Sequence, residues 1–217
     1  MPSQIDTVNV ADSTPDLYQH KWTPLLVVVS GPSGVGKDTL LQRLKERGFD
    51  FAFVVTMTTR LRRENEVDGV DYFFVTREHF NELVMADGFL EYSNVYGDFK
   101  GIPKEQVQRA WGSGKDVVMR IDVQGAAKVR KVMPDAITVF LIPESEDELI
   151  RRLTERKTET PEGLQRRITT AREEMKRLCE FDYVVVNPAN QIDVAVDQLI
   201  SIIRAEHNRA HRDPPCR

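Results

Sequence analysis

One stretch limits what this chain can become: Val27-Val28-Val29-Ser30-Gly31-Pro32-Ser33-Gly34-Val35-Gly36-Lys37-Asp38-Thr39-Leu40-Leu41. A run of β-branched apolar residues enters a glycine-rich loop, and a helical pattern leaves it. Gly31 and Gly36-Lys37 have the spacing of a phosphate-binding loop, G-x-x-x-x-G-K-[ST]. Gly31, Gly34 and Gly36 let the backbone turn sharply, with its N–H groups pointing inward. The helix starting near Gly36 adds unpaired N–H groups and the positive end of its dipole. Lys37 places an ammonium against the β- and γ-phosphates of a nucleotide. The candidate ATP-binding residues are therefore Gly31, Pro32, Ser33, Gly34, Val35, Gly36, Lys37, Asp38 and Thr39.

Asp38 stands where the motif carries a Ser or Thr to hold magnesium. A carboxylate is a hard oxygen ligand and can serve Mg²⁺ directly or through water. Thr39 is turned about 100° from it on the helix and is a poor substitute. Asp38→Ser is expected to keep activity and Asp38→Ala to lose much of it.

The chain of 217 residues is 41% hydrophobic, enough for one core, and two full domains would be small. A net charge of -4 gives no bulk positive field for a nucleic-acid polymer. Phosphate binding must then come from local Arg and Lys clusters. Cys179 and Cys216 lack metal-ligand spacing and read as free thiols in a reducing compartment. No apolar run is long enough to span a bilayer, and no basic-then-apolar signal opens the chain. These features lead to the expectation of a cytoplasmic enzyme with small-molecule substrates and no membrane partner.

From Leu25 the pattern alternates strand and helix, as in a parallel α/β sheet. It is interrupted after Phe51–Val55. Residues 58–71 are polar and charged, too long for a simple turn. Short strands at Tyr72–Val75, Phe89–Ser93 and Phe99–Ile102 then surround a helix at Arg77–Asp87, as in a small inserted α+β unit. The main sheet resumes at Asp116–Ile121.

The polar stretch holds Arg60, Arg62, Arg63, Glu66 and Tyr72. A guanidinium fork suits a phosphate dianion because it donates two parallel hydrogen bonds. Thr58-Thr59-Arg60-Leu61-Arg62-Arg63-Glu64-Asn65-Glu66 and Asp68-Gly69-Val70-Asp71-Tyr72-Phe73-Phe74-Val75 together resemble the GMP-binding region of guanylate kinases. Phe89-Leu90-Glu91-Tyr92, Gly97-Asp98-Phe99-Lys100-Gly101 and Ile121-Asp122-Val123-Gln124-Gly125-Ala126 continue the resemblance, which runs from about Leu25 to the last helix.

The resemblance implies an α/β fold: a P-loop three-layer parallel-sheet core, a small inserted α+β GMP-binding subdomain and a short helical lid. The domain would span 24–206, with its core at 24–56 and 103–206, the acceptor subdomain at 57–102 and the lid at about 152–170. Residues 1–23 would be a flexible extension and 207–217 a polar tail. The implied reaction is ATP + GMP giving ADP + GDP, with Mg²⁺ as cofactor. By similarity, Arg60 and Arg63 would grip the GMP phosphate, Tyr72 would donate its hydroxyl, and Glu66 would brace the arginines. Thr56 and Glu91 occupy the positions that read guanine. Guanine presents N1–H and N2–H₂ as adjacent donors that one carboxylate accepts together, whereas adenine has an acceptor at N1. A buried group left unpaired by the wrong base can reject it by roughly 10⁴-fold. Lys37, Arg156 and Arg167 would form the catalytic set, the last two reaching from the lid. Asn187 would lie near adenine. Asp122 belongs to the acceptor site, with guanine, magnesium water and structure all open as its role.

The chain departs from the family at Asp38, at Lys100 and Ile102 (usually Tyr, then Ser or Thr), and at Arg120, where an acidic residue is common. Lys100 could still meet the acceptor phosphate. Ile102 cannot bond guanine O6. Arg120 implies an altered network near the acceptor. Two rivals remain at this stage: a kinase of another acceptor such as ribose bisphosphate, and a non-catalytic guanylate-kinase-like protein-binding module.

Overall fold

The computed structural model describes residues 23–64, 66–95, 97–155 and 161–210. The N-terminal extension expected at 1–23 falls almost wholly outside them, as do Arg156 and most of the tail expected from 207.

Strand β1 (Leu26–Ser30) is buried along its whole length. A strand covered on both faces needs a continuous apolar run, which Leu26-Val27-Val28-Val29 supplies. It lies at the centre of a five-stranded parallel sheet, between β7 (Asp116–Arg120) and β8 (Ile137–Pro143), with β2 (Phe51–Val54) and β9 (Tyr183–Asn187) at the edges. Alternate side chains of β1 feed two cores. Val27 and Val29 pack with Leu40, Leu44, Leu153, Leu199 and Ile203 on one face. Leu26 and Val28 pack with Val107, Ala110, Ala126 and Val129 on the other. Each fully buried Val, Leu or Ile side chain among them contributes about 1.5–3 kcal/mol. The first face is covered by α1 (Lys37–Glu46), α5 (Glu146–Thr154), α6 (Pro161–Met175) and α7 (Ile192–His207). The second is covered by α3 (Lys104–Trp111) and α4 (Val123–Val132).

A second sheet takes up residues 56–103, in the order β4-β3-β6-β5. Its strands are β3 (Thr56–Thr58), β4 (Tyr72–Phe74), β5 (Phe89–Val95) and β6 (Asp98–Pro103). Helix α2 (Arg77–Met85) is capped by the Thr76 hydroxyl, which accepts from the His79 N–H at 3.2 Å. It buries Phe80 between Phe89 and Phe99, with ring centroids at 4.4 and 5.5 Å. Strand β3 was not expected. Only Val55 separates it from β2, and no Gly or Pro marks the point where the chain changes sheets. Ile102, expected to offer guanine O6 no hydrogen bond, is fully buried in the second core. One further expectation is corrected. Helix α7 runs through His207, whose Nε2 lies 2.8 Å from Asp116 Oδ2, so the regular structure extends into the segment expected as a tail.

Candidate active site

The loop between β1 and α1 is held by close backbone approach. At Gly31 (φ 139°) a Cβ would fall 2.3 Å from the Leu141 carbonyl oxygen, so only glycine fits against β8. Gly36 caps α1 in the left-handed region (φ 95°) with no side-chain cap, so the positive end of the helix dipole faces the loop. Lys37 Nζ folds over the loop and donates to the carbonyls of Gly31 at 2.5 Å and Pro32 at 2.9 Å. Burial pulls the Lys37 ammonium down to about 8, against the attraction of Glu174 and Asp38. An arriving polyphosphate would favour the charged form and raise this value again.

The loop is also braced from behind. Asn187 Nδ2 donates to the Val35 carbonyl at 2.8 Å, and Arg152 donates to the same carbonyl at 3.2 Å. Asn187, expected near adenine, is buried against the loop backbone and stands outside the cleft lining. The Val35 side chain lies in the core.

Across the cleft, Arg60 and Glu66 form a bidentate pair, with Arg60 NH1 donating to Glu66 Oε2 at 2.6 Å. Glu66 Oε2 also accepts the Arg63 N–H at 2.9 Å. Burial works against the Glu66 carboxylate, but Arg60 and the Arg63 N–H hold it below its ordinary value. The Arg60 guanidinium lies 4.7 Å from the Tyr72 ring centroid. Tyr72 is buried, and burial raises its hydroxyl pKa, so it stays a donor. The expected brace of Glu66 on the arginines is thus present in the geometry.

Glu91 is buried on β5, and its Oε2 has no hydrogen-bond partner among the described residues. Burial pushes its carboxyl up to about 8, with Asp122 adding and Lys128 opposing. Asp122 caps α4: its Oδ1 accepts the N–H groups of Gln124 and Gly125 at 2.8 and 3.1 Å, and its Oδ2 accepts the Ser93 hydroxyl at 2.6 Å. Thr56 donates its hydroxyl to the Arg120 carbonyl at 3.2 Å. Lys100 is lowered to about 8 by burial.

These groups meet in one cleft. Its lining includes Gly31, Ser33, Gly34, Gly36, Lys37, Asp38 and Thr39 from the loop, and Thr56, Arg60, Arg63, Tyr72, Glu91, Lys100 and Asp122 from the facing side. Arg167 joins them from α6, whereas Arg156 lies outside the described residues. Two charged residues of note, Glu174 and Arg120, are among the lining residues to which the sequence assigns no role. Glu174 stands on α6 seven residues after Arg167, a spacing that returns to the same helix face and was legible. Its carboxyl is raised by burial, with Lys37 opposing. Arg120, at the end of β7, is the second.

Comparison with known proteins places this geometry. Residues 23–206 match the guanylate kinase family model. "Guanylate kinase 2, chloroplastic/mitochondrial" from Oryza sativa subsp. japonica is 50% identical over 190 residues, covering 87% of this chain and 67% of the relative. The crystal structure of guanylate kinase from Anaplasma phagocytophilum superposes with a TM-score of 0.72 at 31% identity, covering 88% of this chain and 89% of that one. The rice relative's organellar name overturns the expectation of a cytoplasmic protein. The sign sought had been a secretory signal, which separates secreted from retained proteins and does not distinguish cytoplasm from organelle. Among the described residues no helix is long and apolar enough to cross a membrane.

Proposed function

The chain belongs to the guanylate kinase family, and we infer that it transfers the γ-phosphoryl group of ATP to GMP, giving ADP and GDP. The observation that carries this reading is the shared cleft: a phosphate loop on one side, and Arg60, Tyr72 and Glu91 on the other. Arg60, Arg63 and Lys100 hold the acceptor phosphate, and Tyr72 donates to it. Glu91, ionised on binding, accepts from guanine N1–H and N2–H₂, and Thr56 borders the base. Glu91 argues against a ribose-phosphate acceptor, and the intact loop with Lys37 argues against a purely protein-binding role.

Phosphoryl transfer is mostly positioning and charge stabilisation. Lys37, the loop N–H groups and Arg167 would share the charge on the transferring group, with Arg156 proposed to join them from the lid. Asn187 serves the donor site by fixing the loop backbone. Mg²⁺ usually keeps several waters and uses one or two carboxylates plus substrate phosphates. No cluster of three or more His, Cys, Asp or Glu side chains suited to a metal occurs among the described residues, whereas Asp38 offers one hard donor at the loop. The donor set fits a magnesium ion brought in on ATP and held by Asp38, directly or through water. Bound there, the ion would neutralise phosphate charge. Calorimetric titration tests the acceptor reading: GMP is expected to bind, and AMP at least 10³-fold more weakly on the order set by an unpaired buried carboxylate. Equal binding of the two would remove it.

A further inference from the structure

Asp38, which stands in place of the Ser or Thr of the phosphate-loop motif, is bonded to Arg120. Arg120 NH1 donates to Asp38 Oδ1 at 2.7 Å across 82 positions of sequence. The guanidinium is buried, and its second arm donates to the Asp71 carbonyl at 2.7 Å. Its Cζ lies 4.3 Å from the Tyr72 ring centroid and 5.5 Å from that of Phe53. Asp38 belongs to the first turn of the phosphate-loop helix, while Tyr72 belongs to the acceptor sheet.

We propose that Arg120 is a positioning residue that ties the acceptor pocket to the phosphate loop, and that Asp38 is the counter-charge that holds it in place. A buried cation needs a hydrogen-bonded partner, and removing one member of such a pair strands the other. Asp38 is the partly exposed member, with 49% of its side chain accessible against 6% for Arg120. Solvent can therefore screen Asp38 if Arg120 is lost, but not Arg120 if Asp38 is lost. The expectation that Asp38→Ser would be tolerated is reversed. Serine restores the motif residue, yet it leaves a buried guanidinium pulling away from Tyr72 toward another anion. A residue of the ATP loop is thereby made a determinant of GMP binding.

The test is GMP binding by calorimetry, without ATP and with EDTA, for the parent, D38S, R120M and D38S/R120M. Methionine keeps an apolar stem between the two rings and removes the charge. D38S is expected to weaken GMP binding about tenfold, and the double variant to bind GMP better than D38S, the non-additivity shown by directly contacting residues. A role for Asp38 confined to metal binding would leave GMP affinity in EDTA unchanged, and a merely structural role would lower Tm alone; either result overturns the proposal. If D38S is too unstable to titrate, D38N takes its place in the same GMP titration: unchanged affinity overturns the proposal, and weakened affinity that D38N/R120M recovers supports it. The inference rests on the GMP reading. A parent chain that ignores GMP overturns that reading, whereas parent and D38S binding GMP equally well overturns only this one.

Discussion

The carboxylate of Glu91 lies directly against the α-carbon of Gly125, where an added Cβ would fall 2.9 Å from both of its oxygens. Gly125 is in the first turn of α4, so its lack of a side chain makes the room in which the proposed guanine-reading group sits.

Gly125→Ala should therefore separate recognition from stability. Alanine favours a helix over glycine by about 1 kcal/mol, and the group it displaces is the flexible end of one side chain. Tm is expected to hold or rise while KM for GMP rises about tenfold, since a buried polar contact is misplaced. Thermal unfolding and acceptor kinetics on one preparation read both quantities.

The pH profile has a definite sign. Burial raises Glu91 to about 8, so it is protonated in the free enzyme below that pH and must lose its proton to accept from guanine. kcat/KM for GMP should rise from pH 6 toward 8. Lys37 and Lys100, lowered to about 8 by burial, lose charge above that value and produce the falling limb. Because kcat/KM reports free-enzyme ionisations, Glu91→Gln should flatten the rising limb and leave the falling one.

Asn187→Ala tests whether this residue braces the loop or reads the donor base. Losing its bond to the Val35 carbonyl should cost about 1–2 kcal/mol of stability and loosen the loop. KM is expected to rise by the same factor for ATP and GTP. A rise for ATP alone would place Asn187 on adenine instead.

Much of this was legible because it is local. Val27–Leu41 announces strand, loop and helix by composition alone, and the Arg60–Glu66 pair lies within one short segment. The apolar runs also foretold a parallel sheet. Arg120 meeting Asp38 was not legible, because it depends on strand order. β7 lies beside β1 with Val29 opposite Arg120, which delivers the guanidinium to the first turn of α1. Nor was the bond from Asn187 to the Val35 carbonyl legible, because it depends on the sheet order that brings the end of β9 behind the loop. Ile102 was legible as unable to bond guanine O6, but not as buried. It pairs with Glu91 across β5 and β6, yet one side chain lines the cleft and the other fills the core.

Lys37→Met probes charge sharing at the transferred group. Removing one such preorganised donor should lower kcat by about 10²–10³-fold with a smaller change in KM for GMP, since Lys37 stands on the loop side of the cleft. Steady-state kinetics at saturating ATP separate the two parameters.

The most direct measurement of the central claim is ADP release in a coupled assay with Mg-ATP and GMP, dGMP, AMP or ribose bisphosphate as acceptor. Turnover with GMP, and at least 10³-fold lower kcat/KM with AMP on the order expected of an unpaired buried carboxylate, is the predicted result. Faster release with ribose bisphosphate than with GMP, or none with any acceptor, would contradict it.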